Sequence, residues 1–165
     1  MIKTKDEFVD TPLPYVVMLV ICLFWFVMIV GAPLLYKIPV KYTYFADLYY
    51  YLFHYTCHQN PARCYWIFDY QLPVCVRCFG LYLGTVIALV IYPVIKSVRS
   101  TKLPSKWLLL VCFVPIGIDG ICSALHVYPS SHWSRLITGF ICGFIAIYFI
   151  IPGINDAVNL IKEGG

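Results

Sequence analysis

Four cysteines and a histidine crowd one short stretch of the chain: Cys57-His58, Cys64, and Cys75-Val76-Arg77-Cys78. Thiolate sulfur and imidazole nitrogen are zinc ligands, and a Cys-x2-Cys pair points both sulfurs the same way, forming half of a tetrahedral site. Cys57, Cys64, Cys75 and Cys78 would complete such a site, or a set in which His58 replaces one cysteine. His54 and His58 are spaced i, i+4, which places both rings on one face of a helix. The same residues could do redox chemistry. A Cys-x2-Cys pair at a helix N-terminus beside a cation has a stabilised thiolate; Arg77 is that cation, and Cys57 with Cys64 would be the partner pair. A static disulfide framework shaping the loop is the third reading. Cys22, Cys112, Cys122 and Cys142 stand singly in apolar runs, where a lone cysteine packs as a small hydrophobe.

A second group of polar residues lies inside apolar sequence. Asp119 sits within an apolar run beginning at Trp107, and a carboxylate at mid-membrane costs about 2.5 kcal/mol or more unless paired. Arg77 and Arg135 are its candidate partners, and Asp119, Ser123 and His126 fall on one helical face. Arg77, Asp119, His126 and Arg135 therefore define a candidate polar pocket beneath the cysteines. There Asp119 and His126 would handle protons or a polar headgroup. The competing structural reading is an ion pair that locks helices together.

The elements that must position these residues are membrane spans. Only 12% of the 165 residues are charged and 61% are hydrophobic, with mean hydropathy +0.81, whereas soluble domains carry roughly 25% charged residues. That excludes a soluble globular enzyme and a disordered chain. The net charge of +4 does not indicate nucleic acid, because the basic residues flank apolar segments instead of forming a stripe. Four apolar runs, at about residues 15–36, 74–95, 107–127 and 134–154, approach the ~20 residues that a spanning helix needs. Lys96, Arg99, Lys102 and Lys106 lie in one loop without an acid. The excess of Lys and Arg in cytoplasmic loops places that loop and both termini in the cytoplasm, and the Cys/His loop 57–78 outside. Thr43–Thr56 reads as an interfacial helix, with Phe45, Leu48, Leu52 and Tyr55 on one face and Asp47, Tyr51, His54 and His58 on another. Gly80/Gly84, Gly120/Ala124 and Gly139/Gly143 are small-residue pairs that allow helices to approach closely.

Two families share parts of this pattern. The spans and the Cys-x2-Cys at the outer start of the second one are similar to the bacterial disulfide-generating membrane oxidoreductases, which pass electrons to a quinone near that pair. More closely, Cys57-His58-Gln59-Asn60-Pro61-Ala62-Arg63 and Gln71 to Gly84 resemble the prokaryotic membrane proteins of domain-of-unknown-function family 2085. That family's pattern reads C-H-Q-x-P-x-R, Q-x-P-x-C-x-R-C-x-G-x-Y-x-G, P-x3-D-G and R-x2-T-G. The last two elements are matched by Pro115 to Gly120 and by Arg135 to Gly139. The resemblance implies an integral membrane protein and no particular reaction. Members often carry Ser in place of Cys64, which favours a site built on Cys57, His58, Cys75 and Cys78. They also tend to follow Asp-Gly with Thr-Gln, which is absent after Gly120 and leaves Ser123 as a replacement.

The expected molecule is all-α, a single membrane domain over 1–165. It has four transmembrane helices, an interfacial helix and a cysteine-rich outer loop, and sits in the cell membrane as a multi-pass protein. Zinc is the expected cofactor, with quinone expected only for an oxidoreductase; an assembly subunit with a disulfide-bonded loop is the remaining class. The expected partners are the lipid bilayer and a lipid or quinone-like ligand, without nucleic acid.

Overall fold

A computed structural model of the chain describes residues 12–38, 42–125 and 131–163, with the side chains of residues 123, 124 and 163 left aside. His126 lies outside the described residues. The elements run in the order α1 (Leu13–Leu35), α2 (Thr43–His54), a 3-10 turn (Pro61–Arg63), β1 (Cys64–Ile67), β2 (Tyr70–Cys75), α3 (Val76–Ile95), α4 (Trp107–Ala124) and α5 (His132–Glu163). Among the described residues, α1, α3 and α5 are long and apolar enough to cross a membrane. α4 is apolar but shorter, at 18 residues, or about 27 Å at 1.5 Å per residue. Side chains that no other element covers, such as Val20, Phe24, Val27, Phe113 and Ile121, stay exposed and apolar, as lipid-facing surfaces do.

α3 and α5 form the central pair. Gly80 and Gly84 of α3 lie against the backbone of Leu136 and Phe140, while Gly139 and Gly143 of α5 lie against that of Arg77 and Leu81. A Cβ at any of these four would fall inside the facing carbonyl oxygen, so the two backbones touch because the residues are glycines. Gly120, of the same sequence type, meets nothing within 4 Å. One core cluster fills the end of this pair, built from Tyr15, Ala88, Leu89, Tyr92, Ile147 and Ile151. There the Tyr15 hydroxyl donates to the Leu89 carbonyl at 2.8 Å. α5 continues beyond the apolar run to Glu163. On that extension Asn155, 1% exposed, donates to the Val98 and Ser100 carbonyls at 2.9 and 3.1 Å and ties the basic loop to the helix.

The cap corrects an all-helical expectation. β1 and β2 form an antiparallel hairpin with Trp66 opposite Gln71 and Cys64 opposite Cys75. Its turn residues Phe68 and Asp69 both have positive φ, 51° and 68°, the backbone of a two-residue primed turn. Because β2 runs through Cys75, α3 begins at Val76, two residues later than the apolar run. A second core cluster of Met28, Ile29, Phe53, Cys57, Leu72 and Val74 seats the hairpin on α1 and α2. α2 turns Ala46 and Phe53 inward and leaves Phe45, Leu48, Leu52 and Tyr55 exposed, an outward apolar face suited to a bilayer surface.

Candidate metal and anion site

The sulfurs of Cys57, Cys75 and Cys78 lie within 4.8 Å of one another. Three different local structures bring them there. Cys57 follows the end of α2, where its amide donates to the Phe53 carbonyl at 2.9 Å, and it is 5% exposed. Cys75 is the last residue of β2 and the N-cap of α3. Cys78 lies in the first turn of α3, on the turn that a Cys-x2-Cys spacing makes. The Cys75 amide donates to the Cys57 sulfur at 3.1 Å and joins the two segments.

Gln59 fixes this join. Its φ is 50°, a left-handed conformation that is uncommon outside glycine, and it reverses the chain after Cys57. Its side-chain amide donates to the Tyr50 and Pro73 carbonyls at 2.7 and 2.9 Å, clamping α2 to β2. Asn60 then caps the 3-10 turn, its side-chain oxygen accepting from the Ala62 amide at 3.0 Å. The turn delivers Arg63 to the same side as the thiols.

The thiol nearest the helix end is strongly acidified. Hydrogen bonds from the Cys57 and Cys78 thiols, helped by the Arg77 and Cys78 amides, bring Cys75 down to about 2. The bond that Cys57 gives to Cys75 pushes Cys57 upward. Burial pushes Cys64 up to about 12. All eight cysteines are free thiols in the structure.

A cavity of about 370 Å³ opens over the three sulfurs. Thr56, His58 and Asn60 form part of its wall, and Arg63, Arg77 and Arg135 the rest. Behind it, Arg77 Nη2 donates to Asp119 Oδ2 in a salt bridge whose carboxylate residue is only 4% exposed. Ser134 Oγ donates to Asp119 Oδ1 at 2.8 Å. Asp119 of α4 thus links α3 and α5 through Arg77 and Ser134.

Of the sequence candidates, Cys57, Cys75, Cys78, Arg77 and Arg135 meet in one place. His58 lines the cavity but stands outside the three-thiol group, and so does Cys64. Cys64 is 1% exposed on β1, where the hairpin pairs it with Cys75. His54 and His58 do not share a helical face, because α2 stops at His54. Arg63 and Ser134 were not singled out from sequence. Arg63 is the last residue of the Cys57–Arg63 motif, and that membership was its only signal. Cys112 and Cys142 also meet, their sulfurs 2.8 Å apart between α4 and α5; their spacing in sequence carries no such signal.

A mainly helical chain with spanning helices and a thiol-rich cap defines a class of membrane protein. The chain belongs to the family described as "Predicted membrane protein (DUF2085)", whose model matches residues 57–149. The match begins at Cys57 and takes in all three clustered thiols, the three arginines and Asp119. An uncharacterised protein of Methanocaldococcus jannaschii is 41% identical over 96 residues, 58% of this chain and 62% of that protein. An uncharacterised protein of Methanothermobacter thermautotrophicus is 32% identical over 91 residues, 55% of this chain and 80% of that protein. The chain therefore spans less than two thirds of the first relative. No solved structure matches.

Proposed function

We propose that this is a metal-binding protein of the cell membrane, with zinc held by Cys57, Cys75 and Cys78 and the fourth position facing the arginine-walled cavity. The observation that carries the reading is the grouping of three sulfurs within 4.8 Å, Cys57 after α2 meeting the Cys75–Cys78 pair at the start of α3. Soft thiolates select zinc and similar ions, and three protein ligands with an open fourth position are the arrangement of zinc sites that act on a bound molecule. His58 on the cavity wall is the candidate nitrogen ligand for that position when nothing else occupies it. A bound ion would supply a Lewis acid beside the arginines. The chain crosses the bilayer four times, α4 being the short span, and both termini are cytoplasmic. The basic residues Lys96 to Lys106 follow the end of α3 opposite the thiols, about 30 Å away at 1.5 Å per residue, which supports an outer location for the cap.

The test is elemental analysis of purified protein. About one zinc equivalent per chain is expected, and its loss in the Cys75→Ser/Cys78→Ser variant. A metal-free wild type whose cap cysteines resist alkylation until reduced would overturn the reading in favour of thiol–disulfide chemistry.

A further inference from the structure

The wall of the cavity carries information that the thiols do not. Arg63 comes from the 3-10 turn, Arg77 from the first turn of α3 and Arg135 from the first turn of α5, and all three line one cavity. Among the described residues, no carboxylate lines it. Three separate elements bring these charges together, so they are not a run of neighbouring surface cations. Arg135 is 6% exposed, and the Nε of Arg77 is buried with no hydrogen-bond partner.

The charges leave room for an anion. Asp119 pairs with one of the three guanidiniums, that of Arg77. The positive end of α3 lies at the same cavity. Gathering like charges in a partly dehydrated site is unfavourable unless a counter-charge joins them.

We propose that this cavity binds a phosphate group, presented by a phospholipid headgroup or free in solution, with the guanidiniums of Arg63, Arg77 and Arg135 around its oxygens. Guanidinium forks match phosphate oxygens in pairs, and a phosphate offers acceptors on several sides where a carboxylate offers two on one. The cavity lies at the end of the bundle where α2 exposes its aromatic face and Trp133 is 71% exposed, a level suited to headgroups. The phosphate site stands apart from the metal reading, because the arginines surround the cavity whether or not the thiols hold an ion.

The experiment is calorimetric titration of the full-length protein, purified in a maltoside detergent, with inorganic phosphate, and with metal content measured on the same sample. Arg63 is exposed, and among the described residues its guanidinium makes no hydrogen bond or ion pair, so Arg63→Gln should keep its Tm and metal content. It should bind phosphate about tenfold more weakly, the loss of one charge-assisted hydrogen bond; Arg63→Lys should recover part of that. Dihexanoylphosphatidylglycerol, added as monomers, separates the sources. Displacement of phosphate at lower concentration than phosphate itself requires supports a headgroup; phosphate binding that the lipid leaves unchanged supports the free ion. Wild type that binds neither, or Arg63→Gln that binds as wild type does, overturns the proposal. A metal-free sample that still binds phosphate would overturn the metal reading alone.

Discussion

The backbone amide of Cys75 donates to the sulfur of Cys57 across 3.1 Å. That bond joins the end of α2 to the start of α3, and everything distinctive about the cap is arranged around it. Gln59 reverses the chain on one side, the hairpin carries it back on the other, and α3 starts where the two meet.

The ligand set makes a sharp distinction among cysteines. Cys57→Ser should remove most of the bound metal. Cys64→Ser should retain it, since Cys64 lies outside the group of three sulfurs, and its buried hydroxyl should lower stability by about 1–3 kcal/mol if no hydrogen-bond partner is found. Metal content and thermal unfolding of the two variants check both halves.

Asp119 and Arg77 form a pair that should show strong coupling. Asp119→Ala takes the carboxylate away from the Arg77 guanidinium and the Ser134 hydroxyl. Breaking a buried pair costs about 3 kcal/mol at the lower end of the usual range, and the lower end applies because the Arg77 side chain is 26% exposed. Asp119→Ala combined with Arg77→Met should be less destabilised than Asp119→Ala alone. A double-mutant cycle of unfolding free energies in detergent measures this, and simple additivity would refute the pairing as a source of stability.

The glycine contacts allow a controlled comparison. Gly84→Ala and Gly143→Ala should each force α3 from α5 and lose about 1–3 kcal/mol. Gly120→Ala, with open space around its Cα, should be neutral or stabilising by up to about 1 kcal/mol, because alanine favours helix. Equal effects at all three positions would contradict the close α3–α5 approach.

Topology is tested at exposed positions at the two ends of α3. A cysteine replacing Ser105 should add no label from a membrane-impermeant thiol reagent in intact cells. One replacing Phe68, at the 58%-exposed hairpin turn, should add one. The reverse pattern would invert the orientation.

What the sequence disclosed and what it hid have physical reasons. Long uncharged runs declare spanning helices because lipid leaves the backbone no other way to satisfy its polar groups, so α1, α3 and α5 were legible. Cys75 and Cys78 were legible because the Cys-x2-Cys spacing is itself the geometry. The hairpin was not, since β1 has only four residues and its turn uses Phe68-Asp69 in place of the Asn-Gly type that usually marks a primed turn. The hairpin in turn carries Cys75 back to Cys57, whose sulfur the Cys75 amide meets at 3.1 Å. Partner choice within the bundle was open as well: Asp119 found both Arg77 and Ser134, and only the α3–α5 contact could select them.

The most direct measurement is X-ray absorption at the zinc edge on the purified protein. Three sulfur scatterers at about 2.3 Å and one nitrogen or oxygen scatterer at about 2.0–2.1 Å are expected, with the light scatterer altered when phosphate is added. Four sulfurs, which would bring Cys64 into the shell and close the fourth position, or the absence of zinc, would contradict a three-thiolate centre open to the arginine-lined cavity.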